Sequence, residues 1–119
     1  DGDGAAGIPE VVAGDASTCE PGALFGLDGI AVSAAGDVFA LLVMQNQLVR
    51  IDPDTGEVET LLTEEDGLWN PSSLAFGTAE GDTQGLYLVN YAVLPPAPES
   101  NVGPAVLKLD VGVEGRPLD

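Results

Sequence analysis

Asp28-Gly29, at the head of the run Asp28-Gly29-Ile30-Ala31-Val32, is the pair in this sequence best suited to chemistry. A carboxylate there can ligate a hard cation, take a proton or attack a carbonyl carbon. It can equally be a turn aspartate capping a strand, since Asp-Gly is favoured turn chemistry. Two other acidic stretches, Asp1-Gly2-Asp3-Gly4 and Asp52-Pro53-Asp54-Thr55-Gly56, invite a calcium-loop reading. Neither has the twelve-residue spacing with a terminal Glu that such a loop needs, so turns are expected at both. Cys19 stands alone and the chain has no His. A thiol without a nearby imidazole or cation has nothing to lower its pKa, so Cys19 is not expected to act as a nucleophile. The missing His also removes any Ser-His-Asp triad within this segment.

Charge narrows the partners. Twenty acidic residues stand against three basic ones, giving a formal net charge of -17 over 119 residues. Nucleic acid is not an expected partner, because phosphate binding needs clustered Lys and Arg. Anionic membrane surfaces are disfavoured for the same reason. The 45% hydrophobic content separates the chain from disordered sequences, which pair high charge with low hydrophobicity. The longest apolar run, Val38 to Met44, suits a buried strand and falls well short of the ~20 residues of a membrane helix.

The elements that would position Asp28 recur along the chain. Ser73-Leu74-Ala75-Phe76 repeats the strand at Ile30 with a spacing of 44, and Leu107-Lys108-Leu109-Asp110 repeats Val49-Arg50-Ile51-Asp52 with a spacing of 58. Short strands separated by turn residues argue for antiparallel sheet. A repeat near ~45 residues built from four such strands is the sign of a propeller blade, and a propeller needs at least ~4 blades. The expected fold is therefore all-β: a partial β-propeller of about two blades of four-stranded antiparallel sheet, belonging to a longer protein. Residues 1–27 would hold the outer strand of a preceding blade, near Glu10-Val11-Val12-Ala13, and a connecting loop. Residues 28–68 would form one blade, with strands at 30–33, 38–43, 47–51 and 57–62. Residues 69–119 would form the final blade, with strands at 73–76, 85–90 and 105–109 and a doubtful fourth. Its Pro-rich insertion Leu94-Pro95-Pro96-Ala97-Pro98 should be an exposed loop, because Pro lacks the ladder donor. Between Phe76 and Tyr87 this unit also carries four residues more than the first unit has between Val32 and Phe39.

In order and spacing, this text resembles the regucalcin/gluconolactonase family of six-bladed propellers. The matching pieces are Asp28-Gly29-Ile30, Ala35-Gly36-Asp37-Val38-Phe39, Val49-Arg50-Ile51-Asp52-Pro53-Asp54-Thr55-Gly56, Ser73-Leu74-Ala75-Phe76-Gly77, Gly85-Leu86-Tyr87-Leu88-Val89-Asn90 and Val106-Leu107-Lys108-Leu109-Asp110-Val111-Gly112-Val113-Glu114-Gly115. The last resembles that family's C-terminal end. The resemblance implies that Asp28 matches the aspartate of a Pro-Asp-Gly motif. That aspartate points into the central channel, ligates a divalent metal (calcium or zinc) and serves as base or nucleophile on a small lactone or ester. Leu27 stands here where the motif has Pro. The remaining ligands would come from earlier blades of the same chain, so this segment alone is expected to bind metal poorly and to catalyse nothing. One carboxylate cannot supply the six to eight oxygens that calcium takes.

A second reading comes from the non-catalytic NHL-type propellers, which share the hairpin text and would bind a protein or sugar ligand. Five further residues carry weaker expectations. Arg50 and Lys108 fall at one repeated position and read as solvent-facing strand residues more than as substrate clamps. Trp69 reads as an aromatic packed between blades. Asn90 and Tyr91, ending an inner strand near the expected channel, read as structural hydrogen-bonding residues more than as binding residues.

Overall fold

The computed structural model describes residues 6–15, 17, 22–92 and 103–117. Cys19, the Asp1-Gly2-Asp3-Gly4 stretch and the insertion at residues 94–98 lie outside the described residues. The fold is all-β, with two antiparallel sheets and one short 3-10 turn. The first sheet has the order β1-β2-β3-β4, from β1 (Leu27–Val32), β2 (Val38–Leu42), β3 (Gln47–Ile51) and β4 (Val58–Leu62). The second has the order β5-β6-β7, from β5 (Pro71–Phe76), β6 (Gly85–Asn90) and β7 (Ala105–Asp110). Each is a meander, in which every strand pairs with its neighbour in sequence, the order found in a propeller blade.

Local chemistry explains where the strands stop. Asn46 takes φ 56° in the β2–β3 turn, a left-handed conformation that Asn tolerates better than most residues. Asp52 accepts a hydrogen bond at Oδ1 from the Asp54 amide (2.8 Å), and its carbonyl accepts from Gly56 N (2.8 Å). The Asp52-to-Gly56 stretch is thus a self-closed acidic turn, as its composition suggests. After β4, Thr63 opens the turn Glu64–Asp66 with a capping box. Its side chain accepts from the Glu65 amide, and Asp66 accepts from the Thr63 amide.

The main core lies between the sheets. Phe39, Leu41 and Leu48 of the first sheet meet Leu74, Leu86 and Leu88 of the second, with Leu68 from the connection. Phe39 and Phe76 meet edge-on at 5.6 Å between ring centres. Alternation along the strands sends the remaining apolar residues of the first sheet to its far side. There Ala40, Leu42, Val49 and Ile51 pack beneath Ala13 and Leu24.

Two expected strands do not form. Residues 10–13 carry no strand and Ala13 simply covers the first sheet. No strand of the described residues lies beside them as a ladder partner. Past β7 the described residues contain no fourth strand. The chain instead turns back to the first sheet, where Gly115 bridges Ser33, Ala34 N donates to Glu114 O (2.8 Å) and Arg116 N donates to Val32 O (3.4 Å).

Candidate functional site

Asp28 sits near the start of β1 and is exposed. The β1–β2 register shifts between Leu27 and Ile30: Leu27 pairs with Leu42, whereas Ile30 pairs with Ala40. Asp28 and Gly29 together therefore oppose Leu41 in a β-bulge. Bulges re-aim side chains and are over-represented beside active sites. β5 has a matching irregularity between Pro71 and Ser73. The two irregular segments lie against one another. A Cβ added at Gly29 would stand 2.8 Å from the Ser72 carbonyl oxygen and 3.2 Å from Ser73 Cα. Gly29 is thus a point of close backbone approach between the first strands of the two sheets. Asp28 is a free carboxylate beside that seam. Among the described residues no three His, Cys, Asp or Glu side chains gather into a metal-holding group.

The connection between the sheets is tied by buried asparagines. Asn46 Oδ1 accepts from Asn70 N (2.8 Å), while Asn46 Nδ2 reaches Glu64 (3.4 Å). Asn90 Oδ1 accepts from Trp69 N (3.0 Å), and Asn90 Nδ2 donates to Gly67 O (2.6 Å). Both ends of the Asn90 amide are used, so this residue is structural. Trp69 lies partly buried in the same connection between the sheets. Sequence reasoning missed Asn46 and Asn70, because their contact joins positions 24 apart that no local pattern links.

Arg50 and Lys108 reach solvent, as expected of a repeated strand position, and each also makes contacts that the repeat alone did not announce. Each lies across from an aromatic residue in the ladder, Arg50 opposite Phe39 and Lys108 opposite Tyr87. The Arg50 guanidinium lies 5.7 Å from the Phe39 ring centre, and the Lys108 ammonium 5.4 Å from that of Tyr87. Each also meets a carboxylate from the loop before its sheet's second strand: Arg50 with Asp37 at 2.8 Å, Lys108 with Asp82 at 2.5 Å. The repeat thus carries a cation–aromatic–carboxylate clasp that fastens the first loop to the third strand. Asp82 was hidden by its longer loop: three of the four extra residues follow it, moving it from two positions before the aromatic to five.

The second clasp is the tighter. Asp82 Oδ1 meets Lys108 as an ion pair without hydrogen-bond geometry, and Oδ2 accepts the Tyr87 hydroxyl. Gly77 and Gly85 crowd the same carboxylate, where an added Cβ would come within 2.6 and 2.7 Å of it. Lys108, and then the Tyr87 hydroxyl, hold the Asp82 carboxyl below its usual 3.8, while contact with Asp82 raises Lys108 above its usual 10.5. A depressed carboxylate contributes stability that is complete above its unfolded pKa and is lost as pH falls through the folded value. The 77–85 loop is therefore expected to loosen only below about pH 3.8, and Asp82→Asn should remove that acid dependence. Exchange of the Gly77 and Gly85 amides, followed against pH, checks this. An acid response that survives in the Asn variant would disprove it. Lys108 adds the opposite limb: its contribution is present below 10.5 and fades as pH rises through its raised folded value.

Beside each clasp lies an open acidic cleft. One, of about 410 Å³, is lined by Asp37, Arg50, Asp52, Glu57 and Glu59. The other, of about 290 Å³, is lined by Asp82, Lys108 and Asp110. Asp28 lines neither. In both, the one cation is already paired with a carboxylate, so neither presents a free positive charge to an anionic ligand.

No protein-family model and no curated protein matches the chain. Its chemistry is therefore read from the residues themselves. The described residues contain no helix long and apolar enough to cross a membrane.

Proposed function

We propose that this chain is the C-terminal part of a propeller hydrolase acting on small lactones or esters, with Asp28 as the residue that enters its chemistry. One observation supports this above the rest: the exposed Asp28 carboxylate stands at a bulge on β1, beside the seam where β1 meets β5. A carboxylate so placed is free to accept a proton from an attacking water or to attack a carbonyl carbon itself. A divalent cation, calcium or zinc, would supply carbonyl polarisation when bound in the intact protein. The residues present fit such an ion in kind, a hard oxygen donor, but not in number. This segment alone is therefore expected to bind the ion weakly and to turn over nothing. The partners this reading requires are the missing blades of the same chain, which would carry the other ligands.

A second reading is a non-catalytic propeller that binds a protein or sugar ligand, for which the described residues, holding no group of three metal-ligating side chains, leave room. One experiment separates the two. Lactone and ester hydrolysis by the longer protein is measured after chelation and after return of calcium or zinc, beside Asp28→Asn. The hydrolase reading expects metal-dependent turnover that falls at least ~100-fold in the variant, the scale of losing a positioned acid–base group. Turnover at the parent's rate in the Asn variant would remove Asp28 from the site. No turnover on any substrate, with unchanged metal binding in the variant, would leave the binding propeller.

A further inference from the structure

We propose that the outward face of the second sheet, centred on Tyr87, Val89, Val106 and Lys108, is the docking surface for a neighbouring sheet of the longer protein, one that presents a row of aliphatic side chains. The proposal rests on the propeller part of the reading above and is independent of the hydrolase chemistry.

The argument is one of register. In the first sheet, Phe39 pairs with Arg50 and Leu41 with Leu48. In the second, Tyr87 pairs with Lys108 and Val89 with Val106. The clasp fixes this correspondence, because Arg50 covers Phe39 as Lys108 covers Tyr87. The two faces are therefore the same face of successive repeats. In the first sheet that face is fully covered: Leu41 and Leu48 are 0% exposed, beneath Leu74, Leu86 and Leu88. At the corresponding positions of the second sheet, Val89 is 39% and Val106 69% exposed. The interface between the sheets thus continues, one repeat on, as an uncovered surface.

That existing interface also states what the occupant should look like. What covers Phe39, Leu41 and Leu48 is an aliphatic row from the first two strands of the next sheet, with an aromatic edge against Phe39. The centre of the open face is neutral, since Val89 and Val106 carry no charge and Lys108 is already paired with Asp82. A charged partner gains nothing there, whereas an apolar sheet face gains by area. The far side of the first sheet makes no equal claim, because Ala13 and Leu24 already cover Ala40, Leu42, Val49 and Ile51.

The test compares Val106→Asp in two settings by thermal unfolding, with Val106→Ala as the milder variant. In the 119-residue chain Val106 faces water, so both variants should move the midpoint by no more than ~3 °C. In the longer protein the Asp would be buried unpaired, and its midpoint should fall by at least ~5 °C, with Ala giving a smaller fall. Equal shifts in the two settings would overturn the proposal. So would concentration-dependent association of the short chain, by sedimentation, that Val106→Asp abolishes while the longer protein is untouched; the occupant would then be a second copy. Neither readout uses turnover. A longer protein that hydrolyses nothing yet shows the Val106 shift would sink the hydrolase reading and leave the docking surface standing.

Discussion

Replacing Leu88 by alanine is expected to lower unfolding stability by ~2–5 kcal/mol, the range for large-to-small changes in a packed core. Leu88 is 0% exposed and lies in the cluster between the sheets. Its strand, β6, is hydrogen-bonded on one side to β5 and on the other to β7. A backbone held on both edges cannot move inward to fill the space left by the missing atoms, so the upper part of the range applies. Small domains have only ~5–15 kcal/mol in all, so such a loss is a large fraction of the total. Val89→Ala is the control on the same strand, since its side chain points to the open face. It should cost less than ~1 kcal/mol. Urea unfolding of both variants checks the pair, and equal midpoints would mean that the sheets do not pack through this face.

Gly29→Ala is the second large effect, and it comes from a clash. The added Cβ would sit 2.8 Å from the Ser72 carbonyl oxygen, 3.1 Å from Leu74 Cδ2 and 3.2 Å from Ser73 Cα. Two of these three atoms are backbone. Relief requires β5 to shift as a body, and β5 carries Leu74 in the core and Phe76 against Phe39. Overpacking of this kind costs ~1–3 kcal/mol, and valine should exceed alanine. Gly36→Ala gives the contrast. Nothing lies within 4 Å of a Cβ there, but φ is +99°, so its cost is conformational and local, ~1 kcal/mol. Near-UV circular dichroism separates the two. Gly29→Ala should alter the aromatic signal of the Phe39–Phe76 seam, and Gly36→Ala should leave it alone. An unaltered seam in both would show that β1 and β5 do not approach as closely as described.

Much of the sheet structure was legible because strand chemistry is local. The expected spans 47–51 and 85–90 match β3 and β6, and the other strands agree within a few residues. The largest discrepancy is at β1, which begins at Leu27 against an expected 30, because the bulge at Asp28-Gly29 lets pairing continue past the apparent turn. The expected strand at residues 10–13 failed for a non-local reason, the absence of a pairing partner. The candidate site was legible only as a single residue. Asp28 could be singled out from its Asp-Gly context. Its setting depends on which backbone of β5 lies opposite Gly29, and that contact spans a sheet-to-sheet interface. The clasp was half visible: Arg50 and Lys108 share a repeat position, whereas the carboxylates that pair with them stand at unequal distances from their aromatic residues.

The return of residues 114–116 to the end of β1 has a consequence for how the molecule opens. Gly115 passes so close to Phe76 that a Cβ there would collide with the ring, and its amide donates to Thr83 O (3.0 Å). The last described segment is thus pinned to both sheets at once. The end of β1 has a partner beyond its own sheet, and releasing residues 114–116 must also free it, while β4 and β7 remain the outer strands. The two meanders therefore form a single cooperative unit, whose slowest-exchanging amides in β2 and β6 should share one opening free energy.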